Sequence, residues 1–149
     1  MSGVINSAGS KSGEIGTTEL DYEEGTFTPT ISSGVTSIGY HANRYGYYTK
    51  IGNTVIFRMY IRLSSGPLAS ANLEFGGLPF VVSSKAGSAY WWYYTSLDND
   101  AGDSPISLFL SDSGSPIIYV YKKTGGRFLG TDMDGTTGTE LVMSGHYYV

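Results

Sequence analysis

The 149-residue chain contains no cysteine. This removes disulfides, thiolate nucleophiles and thiolate metal sites together, and fits a protein made in a reducing compartment or held by assembly. Histidine is almost as scarce, with His41 and His146 alone. Two histidines exclude a three-histidine metal centre within one chain, and neither lies in a recognisable serine–carboxylate motif. Charge is sparse as well: 9 Lys and Arg stand against 13 Asp and Glu, a net charge of −4. Nucleic-acid binding needs a concentrated basic surface, whereas Lys50, Arg58, Arg62, Lys85 and Arg127 are scattered. Lys122-Lys123 is the one basic pair and reads as a solvated strand end. No apolar run is long enough to span a bilayer, so no membrane insertion is expected. Residues 1–6 have neither a basic region nor an apolar block, so no signal peptide is expected. No segment repeats its apolar residues at the helical period.

What the chain does have is glycine (21) and tyrosine (13), the first suited to tight turns and the second to half-buried strands and binding faces. The clearest pattern lies at 54–63. Val55, Phe57, Met59, Ile61 and Leu63 fall on one face, and Thr54, Arg58, Tyr60 and Arg62 on the other. Strict period two predicts an antiparallel strand with one dry and one wetter face. A Tyr-dense strand at 44–50 precedes it, joined through a Gly52-Asn53 turn expected to need positive backbone angles. Further strands are predicted at 26–31 (Pro29 suggesting an edge), 72–75, 87–97, 106–110, 117–122, 127–130 and 140–149. The fold class expected is all-β: an antiparallel β-sandwich, jelly-roll-like, at 25–149, preceded by an extended N-terminal arm at 1–24. The arm is rich in Ser, Gly and Thr, with thin apolar content at Val4, Ile5, Ile15 and Leu20. Such a segment does not fold alone; it is either a flexible leader or an anchor that docks on a neighbouring subunit.

Four segments carry a family likeness. Residues 13–29, GEIGTTELDYEEGTFTP, resemble the LDxYEEGTWTP opening of the C-terminal domain of many bacteriophage tail-fibre proteins. Residues 45–55, YGYYTKIGNTV, resemble that family's GxYTKIGxxV strand pair; 76–80, GGLPF, its GLPF turn; and 144–147, SGHY, its closing SGxY. The segments follow the family's order, with Phe27 where the family has Trp. The resemblance implies a virion component, a homotrimer and a compact β-domain at the distal end of a fibre. Its partners would be other virion proteins (fibre shaft, baseplate or capsid) and a host-surface glycan. A second reading is a capsid decoration or head-spike protein anchored through the arm. The turn and packing residues of these segments, Gly52-Asn53, Gly76-Gly77, Pro79, Tyr48 and Ile51, are not chemically reactive, so the likeness is one of folding.

The aromatic run at 90–94, YWWYY, is the best site candidate. On a regular strand Tyr90, Trp92 and Tyr94 share one face, and Trp91 and Tyr93 the other. One face should be core, and the other calls for a subunit or a ligand; flat aromatic faces stack on sugar C–H surfaces. The candidate ligand-binding residues are therefore Trp91, Trp92, Tyr93 and Tyr94, with Asp98 and Asp100 of the loop that follows. The candidate trimer or anchor contacts are Val4, Ile5, Ile15, Leu20, Tyr22, Tyr47 and Tyr48, with Tyr48 and Ile51 packing under the hairpin. The acidic stretches 98–103 and 132–135 lack a complete calcium-loop pattern and read as solvated loops, so no metal or cofactor is expected. Glycan hydrolysis would need two carboxylates flanking the scissile bond; Glu23-Glu24 are adjacent, and Glu14, Glu19, Glu74 and Glu140 are dispersed. The expectation is a non-enzymatic protein, with a polysaccharide depolymerase as a third reading.

Overall fold

The computed structural model describes residues 21–83, 87–96, 105–110, 116–133 and 135–149. Among them the chain forms nine strands: β1 (Tyr22–Phe27), β2 (Thr30–Ser33), β3 (Gly39–Ile51), β4 (Thr54–Ser65), β5 (Glu74–Gly76), β6 (Gly87–Tyr94), β7 (Pro105–Leu110), β8 (Ile118–Lys122) and β9 (Glu140–Tyr148). One 3-10 turn, Gly130–Asp132, is the helical element among these residues. The strands hydrogen-bond in the order β1-β3-β4-β9-β6-β7-β8-β5-β2, every pair antiparallel. The chain is thus the all-β antiparallel sandwich expected.

The sheet folds over at β6. That strand pairs with β9 along most of its length but with β7 only through Ser88 and Ala89. Beyond the seam the two halves face each other. Phe75 of β5 meets Trp91 of β6 edge-on, ring centres 5.8 Å apart. The Tyr40 hydroxyl of β3 accepts a hydrogen bond from the Ile31 N–H of β2, tying one margin of the sheet to the other. Between the halves lies the core. Val55, Phe57, Met59, Ile61 and Leu63 of β4 are all buried, as the alternation predicts, and they meet Leu141, Met143 and Tyr147 of β9. Phe75, Leu108, Leu110, Ile118 and Val120 come from the other half. Each such side chain stabilises the fold by about 1.5–3 kcal/mol through apolar surface removed from water.

The turns depart from the local sequence pattern. The run predicted as one strand at 26–31 is two: Thr28 and Pro29 carry the chain from β1 on one sheet margin to β2 on the other. Proline marked this crossing because it cannot donate to a ladder. β1 also begins at Tyr22, inside the segment read as the arm. Gly77 of the GLPF turn adopts φ +81° and lies against the crossing so closely that a Cβ there would sit 2.3 Å from the Thr28 carbonyl oxygen. At the β3–β4 hairpin only Gly52 has positive φ (59°), not both turn residues; this is the pattern of a turn with glycine in the first central position. The hairpin tip gathers both ends of the described domain. The Gly52 N–H donates to the Asp21 carbonyl, and the Val149 N–H donates to the Asn53 carbonyl. The predicted strand at 127–130 is instead two isolated bridges, Arg127 to Tyr121 and Leu129 to Asn72, leading into the 3-10 turn.

Candidate functional site: the outer face of the β1-β3-β4-β9-β6 half

Because paired residues share a face, the register defines the side of this half-sheet that points away from the core. One outward row crosses all five strands: Thr26, Tyr47, Arg58, Ser144 and Tyr90. The next row on one side is Glu24, Thr49, Ile56, His146 and Ser88; on the other side it is Tyr45, Tyr60, Val142 and Tyr93. Tyr22, Tyr45, Tyr47, Ile56, Tyr90, Trp92 and Tyr93 are all exposed on a face that alternation had marked only as the wetter one.

The central row floors a shallow concavity of about 680 Å³, lined by Thr26, Tyr47, Thr49, Ile56, Arg58 and Tyr90 among others. A smaller one of about 350 Å³, lined by Tyr45, Tyr60 and Val142, adjoins it and shares Tyr47 and Arg58. The rings around them are ordered by one another. Tyr45 stacks on Tyr60 at 5.4 Å and meets Tyr47 edge-on at 5.7 Å. Partial burial, with the Glu140 carboxylate next in effect, raises the pKa of the Tyr60 phenol. At the β6 end Tyr90 and Trp92 lie 6.4 Å apart in a tilted arrangement.

The aromatic run does not alternate as a regular strand would. Trp91 pairs with Met143 and Tyr93 with Val142, so Trp92 is the extra residue of a β-bulge. The bulge sets Tyr90 and Tyr93 on one face and Trp91 and Tyr94 on the other, which corrects the expected grouping. Trp91 and Tyr94, expected among the ligand-binding residues, turn inward, 5.6 Å apart and packed against the core. The Trp91 Nε1–H is shielded from solvent and meets no acceptor among the described residues. Trp92 and Tyr93 do stand out, Trp92 at 69% exposure, and Tyr90 joins them. Asp98 and Asp100 lie outside the described residues, as do Val4, Ile5, Ile15 and Leu20.

Of the other expected contact residues, Tyr22 is exposed, and its hydroxyl donates to Glu24 at 2.8 Å, which raises the phenol's pKa. Tyr47 is exposed in the central row. Tyr48 instead faces inward, edge-on to Phe80 at 5.3 Å, with its hydroxyl donated to Glu23 and its pKa raised chiefly by that bond. Ile51, expected to pack beneath the hairpin, is exposed.

The remaining polar groups have structural partners. Lys122, read as a solvated strand end, forms an ion pair with Asp132 at 2.8 Å, each side chain only 15% exposed. The Asp132 carboxylate also accepts from the Leu129 N–H at 2.6 Å, so this member of the acidic stretch 132–135 is engaged within the fold. Arg127 lies 3.4 Å over the Tyr119 ring and bonds Glu74 at 3.2 Å. No cluster of three or more His, Cys, Asp or Glu capable of holding a metal occurs among the described residues. Ser88 and His146 are cross-strand neighbours with Oγ and Nδ1 3.5 Å apart, a proximity that sequence reading missed because long-range pairing creates it. Among the described residues no carboxylate bonds the other side of that ring, so there the pair lacks the orienting group of a nucleophilic triad.

No protein-family model matches the chain, and no curated protein matches it. Among solved structures, it is similar to the crystal structure of the Dettilon tailspike protein (gp208), at 24% sequence identity and a TM-score of 0.72. The match covers 85% of this chain and 24% of the tailspike, so the chain spans about a quarter of that protein's length. At this identity the likeness establishes a shared fold: the sandwich described above also occurs as one part of a phage tailspike.

Proposed function

We propose that the chain is a bacteriophage virion component, the receptor-binding module of a tail fibre or tailspike, and that it holds a host-surface glycan on the outer face of the β1-β3-β4-β9-β6 half. The observation that carries this reading is the concentration of exposed, mutually ordered aromatic rings around a hydroxyl-lined concavity, bordered by Arg58 and Glu24, on the side of the sheet away from the core. Saccharides present alternating C–H faces and hydroxyl edges; Tyr90, Trp92 and Tyr47 supply stacking planes with polar rims, and Thr26, Thr49 and Ser144 supply hydroxyl partners. Four strand spacings of about 4.8 Å make the central row about 19 Å long, enough for several sugar rings. The shared fold with part of a tailspike and the four sequence segments of the tail-fibre type support the virion assignment.

The role proposed is binding without turnover. Three copies in a homotrimeric tip, and several tips on a particle, would turn weak single-site contacts into firm attachment, because each later contact forms at high effective concentration. The test is host adsorption by particles carrying Trp92→Ala or Tyr90→Ala. Both side chains are exposed, so thermal unfolding should be unchanged while adsorption falls by about tenfold or more per ring lost. Full adsorption by both variants would refute the assignment of this face.

A further inference from the structure

Arg58 stands at the centre of the outer face and, with Tyr47, forms the shared wall of its two concavities. Among the described residues it has no carboxylate partner. Arg62, the next outward cation on β4, is neutralised by Glu140 at 3.5 Å. Arg127, Lys50 and Lys122 are paired with Glu74, Asp21 and Asp132. Arg58 instead lies over the Tyr47 ring at 4.9 Å and ion-pairs with no residue among those described. Glu24 is the acidic residue bordering the same concavity; one of its carboxylate oxygens accepts a hydrogen bond from the Tyr22 hydroxyl, and it forms no ion pair with Arg58. It sits two strands and one row away from Arg58, about 12 Å between backbone positions from sheet spacings. The chain as a whole is acidic, at −4, and Arg58 is the cation that lines this concavity, with Glu24 at its β1 border.

Resting on the receptor-binding reading above, we infer that the ligand is an anionic saccharide, one bearing a carboxylate or phosphate group, and that Arg58 receives that group while Tyr90 and Tyr47 pack against the adjoining rings. The guanidinium is a planar fork that matches a carboxylate or phosphate bidentately, and its stacking on Tyr47 fixes the plane in advance. Ser144 lies directly opposite Arg58 on β9 and presents a hydroxyl to the same anion. A neutral polymer would leave the guanidinium covered and unmatched, which costs affinity and thereby sets specificity.

The experiment uses the full chain on an array of bacterial oligosaccharides divided into uronate-, pyruvate- or phosphate-bearing members and neutral members, comparing the native protein with Arg58→Gln, Arg58→Lys and Tyr90→Ala at low and physiological salt. Binding should concentrate on the anionic members and weaken as salt rises. Arg58→Gln should reduce it about ten- to a hundredfold, the worth of a hydrogen-bonded charge pair, with Arg58→Lys retaining part of it and Tyr90→Ala weakening every member bound. Binding that prefers neutral members, or that Arg58→Gln leaves unchanged, overturns the anionic ligand while leaving the receptor-binding face intact. No binding to any member overturns both readings. A fall in oligomeric mass for Arg58→Gln by sedimentation would then assign the face to contact between copies of the chain.

Discussion

The chain places an aromatic ring directly across from a glycine at the β1–β3 pairing, and this makes a prediction whose sign changes with background. Phe27 is opposite Gly46, and a Cβ built on Gly46 would lie 2.4, 2.5 and 2.7 Å from three atoms of the Phe27 ring, where ordinary contact begins near 3.4 Å. Gly46→Ala must therefore push the ring aside by about 1 Å, an overpacking cost of about 1–3 kcal/mol. Against this, alanine in place of glycine gains about 0.5–1 kcal/mol by restricting the unfolded chain, and the Gly46 backbone has ordinary strand geometry. The net expectation in the native background is a loss of about 1–2 kcal/mol. In a Phe27→Ala background the obstructing ring is gone and only the gain remains, so the same substitution should stabilise by about 0.5–1 kcal/mol. The coupling between the two sites is then about 1.5–3 kcal/mol, within the range of residues in direct contact. Urea unfolding of the four proteins, followed by tryptophan fluorescence and analysed by linear extrapolation, measures it. Equal effects of Gly46→Ala in both backgrounds would refute the claim that the ring and the missing side chain occupy one space.

Three further outcomes are expected. Tyr147→Phe leaves the Phe80 N–H without its 3.3 Å acceptor inside the core and should cost about 1–2 kcal/mol near neutral pH in chemical unfolding. Burial raises the Tyr147 phenol pKa above its ordinary value near 10, so its neutral form favours the fold below that pH. This contribution is lost as pH rises from about 10 upward; the native protein should lose stability there faster than Tyr147→Phe, and parallel alkaline melting curves would contradict this. Arg127→Ala removes the guanidinium from the Tyr119 face and from Glu74 together, and a loss of about 1–2 kcal/mol in thermal unfolding is expected, with Arg127→Lys recovering less than half because lysine lacks the stacking plane. Lys122→Met should be destabilising by about 1–3 kcal/mol, since it strands the mostly covered Asp132 carboxylate; a neutral result in the same assay would show the pair to be solvated.

The sandwich was legible because β4 alternates without interruption and its five apolar residues commit one face to the core, which also places the wetter face correctly. Local pattern failed where geometry depends on a distant partner. Nothing within 90–94 announces that Trp92 is a bulge; the extra residue exists only relative to β9, and it turns Trp91 and Tyr94 inward. The split between β1 and β2 is likewise invisible at Thr28-Pro29, because an edge proline and a crossing proline look the same until the strands' partners are known. Arg58 read as one scattered cation among several. Its central position arises from three pairings that align Tyr47, Ser144 and Tyr90 beside it. The pairing of Ser88 with His146 is of the same kind. The matched segments meanwhile carry packing: Gly25 lies beneath Tyr48, Gly46 beneath Phe27 and Gly145 beneath Phe57, three glycines whose missing side chains make room for rings.

The two backbone bonds at the Gly52-Asn53 tip anchor Asp21 and Val149 side by side. The β6 strand runs away from that point, finishing at Tyr94 beside the beginning of β9, where Thr95 and Glu140 clasp each other through two hydrogen bonds. The first and last described residues therefore lie at a single pole, and the bulge with its tryptophan is carried toward the other. A carrier joined at that pole would leave the opposite end, with its exposed tryptophan, uncovered.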